Sequence, residues 1–347
     1  MATVADIAKA CNVSKSTVSR VLNQDPGFSV APTTKKLILD TAIKMGYRLP
    51  PRKKSANATN MQVARKRPAK VFEVGILSFT LQYGQSAGPY YSGILSSMVN
   101  YIEANGYTEQ IHLRYIIDPS LAEFRGLDAL VVIGKMDIPQ DAPEIKKIPN
   151  IITVDYHMPE MNYDSVTADF HAVMQLAFST FAEKGIEDIH FVGARSHITS
   201  FGTNEIRIAD DPRLTEFRSL CAEQNLDFQS HIWMGEDFST PSGYEATQDL
   251  LKENAAPSAI LYASGEMALG GYKALHEKKL KIGKDVFVIG IDEMDFSRYM
   301  QPPLTTISIN VMDTGKTAAY DLISLLEGRP FQLTLHPSIE LIRRESC

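Results

Sequence analysis

Apolar residues near the start of the chain recur at helical spacing. Val4, Ile7, Ala8 and Cys11 fall on one side of a helix, which predicts a first helix with one buried face. Thr3 is in a position to cap that helix. We therefore expect the chain to begin with a packed helical segment.

A second helix is predicted after the polar break at Asn12-Val13-Ser14. Ser14 can cap it, and Val18, Val21 and Leu22 form its inward stripe. Its opposite face carries small hydroxyl side chains and two cations: Lys15, Ser16, Ser19 and Arg20. Such a face can contact base edges and phosphates in the major groove of DNA. The first and second helices together are therefore predicted to form a helix-turn-helix. An ordinary amphipathic helix pair with a solvated polar face is the alternative.

A third helix is predicted from Pro32 to Met45, with Gly46 as its stop. Ile38, Ala42 and Met45 would face inward. The predicted DNA-binding head thus covers residues 1–49. Residues 50–70 are basic and poor in large apolar side chains, which predicts a linker.

After Lys70 the pattern changes to short apolar runs alternating with amphipathic stretches. The predicted strands are 71–77, 129–133, 151–154, 189–192, 259–262 and 286–289. The predicted helices are 90–105, 170–184, 215–225, 243–254, 267–278 and 313–326. This alternation predicts an α/β fold with parallel sheets covered on both faces. These strands and helices are too many to pack around a single hydrophobic core, so we expect two lobes.

The charge is distributed unevenly along the chain. Residues 1–70 contain 14 Lys and Arg against 3 Asp and Glu, whereas the whole chain of 347 residues has a net charge of −6. The remaining residues therefore carry −17. A basic head on an acidic body is typical of a DNA-binding regulator, because phosphate attraction concentrates on the head.

Several other classes of protein have little support. No apolar stretch approaches the ~20 residues of a membrane span. The N-terminus lacks the apolar core of a signal peptide, so a cytoplasmic location is expected. The three cysteines Cys11, Cys221 and Cys347 have no metal or disulfide spacing. We find no phosphate-binding loop, HExxH, CxxC or nucleophile elbow, so neither an enzyme nor a bound cofactor or metal is expected.

The chain resembles the lac/galactose repressor family along its whole length. The resemblance rests on the head motif, Gly46-Tyr47, Met267-Ala268-Leu269-Gly270, Gly290-Ile291-Asp292-Glu293, Pro302-Pro303-Leu304-Thr305-Thr306-Ile307 and the closing run 340–346. It implies a dimeric repressor that binds a pseudo-palindromic operator. It also implies an effector-binding body (71–347) like the periplasmic sugar-binding proteins, with an N-lobe of about 71–167 plus 311–335 and a C-lobe of about 168–310 plus 336–347. Segments at Asp25-Pro26, Pro89-Tyr90-Tyr91 and Ser242-Gly243-Tyr244 resemble galactoside-responsive members.

The resemblance implies which head residues meet DNA. Lys15 and Ser16 match the specificity pair that reads bases, and Arg20 matches the guanine reader. Thr17 and Ser19 match contacts to phosphate or base edges, and we expect Lys53 to contact phosphate. The complete set of implied DNA-binding positions is Thr3, Ser14, Lys15, Ser16, Thr17, Ser19, Arg20, Asn23 and Lys53.

It also implies an effector site between the lobes. Arg213 matches an arginine that binds sugar hydroxyls, Asp292 a carboxylate that accepts hydrogen bonds, and Phe238 an aromatic that stacks on the sugar. The complete set is Tyr90, Tyr91, Asp155, Asp169, Arg213, Phe238, Ser264 and Asp292. Each has a structural alternative: Arg213 an ordinary surface charge, the aromatic residues core packing, and the aspartates helix caps. Asp210 and Asp211 are expected to lie in a solvated loop.

Some positions depart from the family pattern. Ser264-Gly265 replaces a common Asn-Asp, Glu216 replaces the glycine of the arginine motif, and Ile309 replaces a polar residue. Arg207 offers a rival alignment for Arg213. The linker lacks a clear Ala-x-x-Leu hinge, with Met61, Val63 and Ala64 the nearest apolar candidates.

The sequence therefore predicts a sugar-responsive transcriptional repressor, with galactose or a galactoside as the favoured effector. Two alternatives stay open. One is a catabolite-control regulator with a phosphoprotein corepressor. The other is a sugar-binding protein that does not bind DNA, which would leave the basic head unexplained.

Overall fold

The computed structural model describes residues 8–11, 13–22, 34, 37–38 and 41, followed by 70–83, 88–118, 120–158, 163–203, 205–224, 229–254 and 256–347. The chain forms two compact units, Met1–Lys66 and Arg67–Cys347. The predicted limits of head, linker and lobes remain predictions.

In the first unit, residues 8–10 are helical and helix α1 spans Lys15–Leu22. The backbone nitrogen of Thr17 donates to Oγ of Ser14 at 3.1 Å, so Ser14 caps α1 as predicted. Buried side chains include the predicted inward positions Ala8, Cys11, Val18 and Ile38. The start of the first helix, most of the third and the linker up to residue 69 lie outside the described residues.

The first part of the second unit is a parallel six-stranded sheet. Its strands are β1 (Phe72–Ser78), β2 (Ile111–Tyr115), β3 (Ala129–Ile133), β5 (Ile151–Val154), β6 (Asp164–Val166) and β14 (Thr334–Leu335). They lie in the order β14-β6-β5-β3-β1-β2. The associated helices are α2 (Phe79–Tyr83), α3 (Gly88–Ala104), α4 (Pro143–Lys146) and α9 (Val311–Leu326). We call this part the N-lobe.

The second sheet also has six strands, and we call it and its helices the C-lobe. The strands are β7 (Ile189–Ala194), β10 (Ile232–Gly235), β11 (Ala259–Tyr262), β12 (Phe287–Ile291), β13 (Thr305–Ile309) and β15 (Ile339–Ile342). Their order is β10-β7-β11-β12-β13-β15, and only β15 pairs antiparallel. The helices are α5 (Phe170–Ala182), α6 (Pro212–Glu223), α7 (Thr240–Glu253) and α8 (Gly265–Glu277).

Both faces of the N-lobe sheet are covered. Along β3, Leu130 and Val132 point into one apolar cluster, while Ala129, Val131 and Ile133 point into another. A strand that is buried on both sides consists of consecutive apolar residues, and this pattern is why the strand could be predicted from the sequence. The predicted two-lobed α/β fold is confirmed.

A third, smaller sheet joins the lobes, and we call it the bridging sheet. It pairs β4 (Met136–Asp137) of the N-lobe with β8 (Ser196–Ser200), which in turn pairs with β9 (Ile206–Ala209). Thr199 N donates to Lys135 O at 3.1 Å, and Phe201 N donates to Asp137 O at 2.9 Å. Main-chain hydrogen bonds thus link the two lobes in addition to the chain crossings.

Two glycines explain the close packing of α7 and α8. A Cβ at Gly243 would lie 2.2 Å from the carbonyl oxygen of Met267, and one at Gly270 would lie 2.0 Å from that of Thr240. Both distances are shorter than any real contact, so larger residues would push the helices apart. Among the described residues, no helix has the length and apolarity needed to cross a membrane.

A buried charge cluster holds the N-lobe segment that follows α9. Arg329 forms ion pairs with Asp164 at β6 and with Asp321 on α9. Asp321 is fully buried, and its Oδ2 has no hydrogen-bond partner. Burial and the neighbouring Asp164 carboxylate raise the pKa of Asp321, and Arg329 only partly offsets that rise.

We predict that Asp321→Asn removes a pH-dependent loss of stability. An unfolded aspartate titrates near ~3.9, so the folded protein retains a proton above that pH and loses stability as pH rises through the folded-state pKa. The variant should therefore gain stability relative to the unmodified chain between pH 5 and about 8. Urea unfolding across this range measures the difference.

Asp313→Asn on the same helix is the matched control. Bonds from Ser338 and Lys316 lower the pKa of Asp313, so its loss should cost stability above an ordinary aspartate pKa. The prediction would be contradicted if the free energies of unfolding of Asp321→Asn and the unmodified chain differed by the same amount at every pH.

Candidate functional site

Charged and polar side chains collect where parallel strands of both lobes end. Lys135 follows β3, Asp155 follows β5, Ser196 follows β7 and Asp292 follows β12. The carboxyl ends of parallel strands are where open α/β sheets bind ligands. The polar groups of the two lobes meet here.

Asp211 is at the centre of this cluster. It caps the N-terminus of α6, and Pro212 occupies the first helical position. Aspartate is favoured at the cap of a helix and proline at its first residue. Its carboxylate accepts hydrogen bonds from Lys135 Nζ at 2.8 Å and from Ser196 Oγ at 2.7 Å. Burial favours a higher pKa, but Arg213 and Lys135 hold the pKa of Asp211 well below its usual range. Asp211 is therefore an ionised carboxylate that joins the two lobes.

Arg213 lies beside Asp211 and is almost fully buried. Its Nη1 donates to Asp211 Oδ1 at 3.1 Å, and its Nη2 donates to Asp292 Oδ2 at 3.4 Å. The guanidinium carbon lies 4.7 Å from the ring centre of Phe170 and 5.5 Å from that of Phe238. Burial would lower the pKa of Arg213, but Asp211, Asp292 and Asp155 raise it.

Asp155 accepts hydrogen bonds from two tyrosines of α3. The distances are 3.3 Å from Tyr90 Oη to Oδ1 and 2.9 Å from Tyr91 Oη to Oδ2. Burial raises the pKa of Asp155, and Lys135 and Arg213 oppose that rise. Burial also raises the pKa of both tyrosines, which therefore stay protonated as donors.

Asp292 shares the backbone conformation of Asp155. Their φ angles are 68° and 61°, in the left-handed region. Non-glycine residues in that region store strain that is often associated with functional sites. Burial raises the pKa of Asp292 to about 6, against the opposing effect of Arg213. Its Oδ1 and the Nε of Arg213 are buried without a hydrogen-bond partner.

A cavity of about 500 Å³ opens beside this cluster. Its volume is within the range of roughly 300–1,000 Å³ found for small-molecule sites. The lining residues are Lys135, Asp155, Tyr156, His157, Thr167, Ala168, Asp169, Phe170, His171, Ser196, Ile198, Arg207, Ala209, Asp210, Asp211, Pro212, Arg213, Glu216, Thr334 and His336.

The structure brings most of the predicted effector residues to this region. Asp155, Asp169 and Arg213 line the cavity. Behind that wall, Tyr90 and Tyr91 bind Asp155, and Asp292 binds Arg213. Their predicted contact with an effector remains a prediction.

Three predicted residues have structural roles as well. Asp169 caps α5 by accepting from Ala172 N. Ser264 caps α8 and donates to Phe238 O at 3.1 Å. Phe238 packs under two cations, with Lys135 Nζ 5.1 Å from its ring centre. Neither Ser264 nor Phe238 is among the residues lining the cavity.

Several site residues were not predicted from the sequence. The prediction of a solvated loop at Asp210 and Asp211 was wrong for Asp211, which is 1% exposed. An aspartate directly before a proline at a helix start was the available signal. Lys135, Ser196 and Phe170 were not predicted, because no motif marks them and their partners in the site are distant in sequence.

The described part of the head places Lys15 and Arg20 on the exposed side of α1, opposite buried Val18. Ser14 is exposed and Thr17 is half-buried. Thr3, Asn23 and Lys53, together with the side chains of Ser16 and Ser19, lie outside the described residues.

Among the described residues, one group of side chains approaches metal-binding geometry: Asp188, His190 and His231. However, Trp233 Nε1 donates to Nδ1 of His190 at 3.2 Å. Nε2 of His190 lies 3.1 Å from Asn254 Nδ2. Both ring nitrogens of His190 therefore already have partners in the protein, and the geometry opposes a metal site. Burial lowers the pKa of His190 to about 4.

Two models of known protein families match separate parts of the chain. Residues 3–49 match the model described as bacterial regulatory proteins, lacI family. Residues 178–347 match the model of a periplasmic binding protein-like domain. The basic head is therefore a DNA-binding domain of that family, which removes the alternative of a sugar-binding protein without one.

Curated relatives match over nearly the whole length. The transcriptional regulator GalR of Streptococcus thermophilus is 30% identical, covering 92% of this chain and 91% of the relative. The transcriptional repressor MelR of Bacillus subtilis (strain 168) is 27% identical, covering 100% of this chain and 98% of the relative. Among solved structures, the lac repressor dimer bound to operator and an anti-inducer has a similar fold, with a TM-score of 0.62, 20% identity and coverage of 99% and 98%.

We predict that Asp211→Ala destabilises the body strongly. The change leaves Lys135 and Arg213 without their shared carboxylate, and breaking a buried ion pair from one side costs about 3–5 kcal/mol. Thermal or urea unfolding measures the loss. Asp210→Ala is the matched control, because Asp210 forms only exposed ion pairs with Arg195 and Arg218 and should change stability by about 0–1 kcal/mol. Equal effects of the two variants would contradict the central role of Asp211.

Proposed function

This chain belongs to the lacI family of bacterial regulatory proteins, and we propose that it is a transcriptional repressor released from its operator by a sugar. The proposed response to a sugar rests on one observation: the buried cluster of Arg213, Asp211 and Lys135 lies beside a cavity between the lobes. The proposed binding to DNA rests on the family membership of the head. A regulator that reads chromosomal DNA works in the cytoplasm.

Helix α1 is the proposed recognition helix. Its exposed face presents Lys15 and Arg20, while Val18 anchors the other face. Arginine can donate two hydrogen bonds to guanine, and hydroxyl groups fix the register on phosphates. Since one helix reads only a few base pairs, two heads on a pseudo-palindrome give the required specificity. The dimer in the similar lac repressor structure supports this arrangement.

The cleft has the chemistry of a sugar site. Arg213 is a rigid donor fork, and the neighbouring carboxylates accept. A sugar hydroxyl does both, so it matches the guanidinium of Arg213 and the carboxylates of Asp155 and Asp211 that line the cavity. The aromatic ring of Phe170 in the cavity wall offers an apolar face for the ring carbons.

Galactose or a galactoside is the effector that we favour. The support is the resemblance of the segments at Pro89-Tyr90-Tyr91 and Ser242-Gly243-Tyr244 to galactoside-responsive members. Induction then requires that the sugar bind one arrangement of the lobes more tightly than the other, because equal affinity would shift nothing.

We predict that Arg20→Ala lowers binding to the operator far more than binding to random DNA. A lost bidentate base contact costs roughly 1–3 kcal/mol of discrimination. Competition binding with operator and random duplexes measures the ratio. Lys9→Ala, a change of an exposed lysine in the same unit, is the control and should leave the ratio unchanged. Equal losses on both DNAs in Arg20→Ala would remove its assignment as a base reader.

We predict that Arg213→Ala and Asp292→Ala, if they fold, bind operator but are not released by inducer. Arg213→Ala removes a donor to sugar hydroxyls, whereas Asp292→Ala removes the carboxylate that orients Arg213. Each change should weaken sugar binding by roughly 1–3 kcal/mol. Operator binding with and without sugar, together with calorimetry of the sugar, tests both. Arg218→Ala on the same helix is the control, because Arg218 pairs with Asp210 and does not line the cavity. Unchanged sugar affinity in both site variants would refute the site.

A further inference from the structure

The cavity extends well beyond the buried charged cluster. Lys135, Asp155, Ser196, Asp211 and Arg213 form one wall, which we call the inner part. Five further lining residues are half-buried or exposed: Tyr156, His171, Arg207, Ala209 and Glu216. We call these five, together with the buried Ile198, the outer part. The charged groups assigned above to a sugar lie in the inner part, so the outer part needs its own explanation.

We propose that the outer part is a second sugar subsite, so that the effector contains at least two sugar rings. This inference rests on the proposed sugar response and specifies the class of sugar.

The register of the bridging sheet places one of its faces along the cavity. Ser196 pairs with Ala209, and Ile198 pairs with Arg207. Because side chains alternate along a strand, these four share one face, and all four line the cavity. Ile206 and Ile208 point to the opposite face and are exposed. The cavity wall is therefore a continuous sheet surface.

This surface leads from the inner part to the outer part. Ser196 binds Asp211 in the inner cluster. Ile198 and its partner Arg207 lie two residues farther along, which is about 7 Å at the usual rise per residue. That spacing accommodates one additional pyranose ring.

The outer part matches the two surfaces of such a ring. Half-buried Ala209 offers apolar contact for ring carbons, on the same face as the buried Ile198. Arg207 is held by Asp137, at 2.9 Å from Nη2, and by Tyr156, at 2.8 Å from Nη2. Nε also donates to Asp137. Because these bonds involve only Nε and Nη2, Nη1 can donate to a sugar hydroxyl.

The pair formed by His171 and Glu216 also lines the cavity and offers a complementary acceptor. His171 Nδ1 lies 3.0 Å from Glu216 Oε2, which leaves Oε1 able to accept from a hydroxyl. Glu216 is the residue that replaces the glycine of the family's arginine motif. Its position in the cavity gives this departure a role in the choice of sugar.

Calorimetry on the full-length protein with sugars of two lengths tests the proposal. The panel contains galactose, the two methyl galactosides, and lactose and melibiose, which carry a second ring in β and α linkage. We expect one disaccharide to bind about tenfold more tightly than the methyl galactoside of the same anomer, since one or two further hydrogen bonds supply that difference.

Variants assign the gain to residues. Glu216→Ala and Arg207→Gln should each remove much of the disaccharide's advantage and leave the affinity for the methyl galactoside unchanged. Ile208→Ala, on the opposite face of the same strand, is the control and should retain the advantage.

The possible failures are distinguishable. Equal affinity for the methyl galactosides and the disaccharides would overturn the second subsite and leave the sugar response intact. A disaccharide advantage that persists in both site variants would overturn the assignment to the outer part. Failure of every sugar in the panel to bind would overturn the assignment of galactose or a galactoside as the effector, and the second subsite with it.

Discussion

The arrangement of the cleft depends on a single buried carboxylate. Asp211 is ionised in the interior, and a buried charge is tolerated only where opposite charges and hydrogen-bond donors surround it. Lys135 comes to it from the N-lobe, whereas Ser196 and Arg213 come from the C-lobe. Satisfying this one group therefore fixes the distance between the lobes at the base of the cavity. It also orients Arg213, the side chain on which the proposed sugar site depends.

The strand ends around Asp211 carry a second constraint. Asp155 and Asp292 both have left-handed backbones, a conformation that costs roughly 1–3 kcal/mol outside glycine. Each directly follows a buried strand, so the strained turn keeps a carboxylate at the cleft while the chain leaves the sheet. Three carboxylates surrounding two cations also explain why burial can raise the pKa of Asp155 and Asp292 while that of Asp211 falls. The most closely paired carboxylate takes most of the available positive charge.

The sequence predicted the elements whose residues are buried on both sides. The strands at 129–133, 151–154 and 259–262 have the predicted bounds, because a continuous apolar run leaves few alternatives. It missed β2, β6, β10, β14 and the bridging sheet, which are short or partly exposed. It also missed the largely buried β13, because Thr305, Thr306 and Ser308 interrupt the apolar run. It predicted Arg213 and Asp292 only through family resemblance and missed Lys135, since the partner of a buried charge is selected by the fold and not by its neighbours in sequence. The alternating apolar residues at 206 and 208 were the available signal for β9.

The bridging sheet limits how an effector can act on the lobes. The bonds from Thr199 N to Lys135 O and from Phe201 N to Asp137 O cross between them, and Arg207 adds an ion pair to Asp137 beside these bonds. Complete separation at this edge would break main-chain bonds worth about 0.5–1.5 kcal/mol each, in addition to exposing Asp211. A rotation that pivots on the bridging sheet keeps these contacts and changes the opposite side of the cleft. Residues that contact both the bridging sheet and the cavity are thus where sugar binding would be coupled to movement of the lobes. Lys135 is such a residue, because its main chain bonds to the bridging sheet and its side chain lines the cavity.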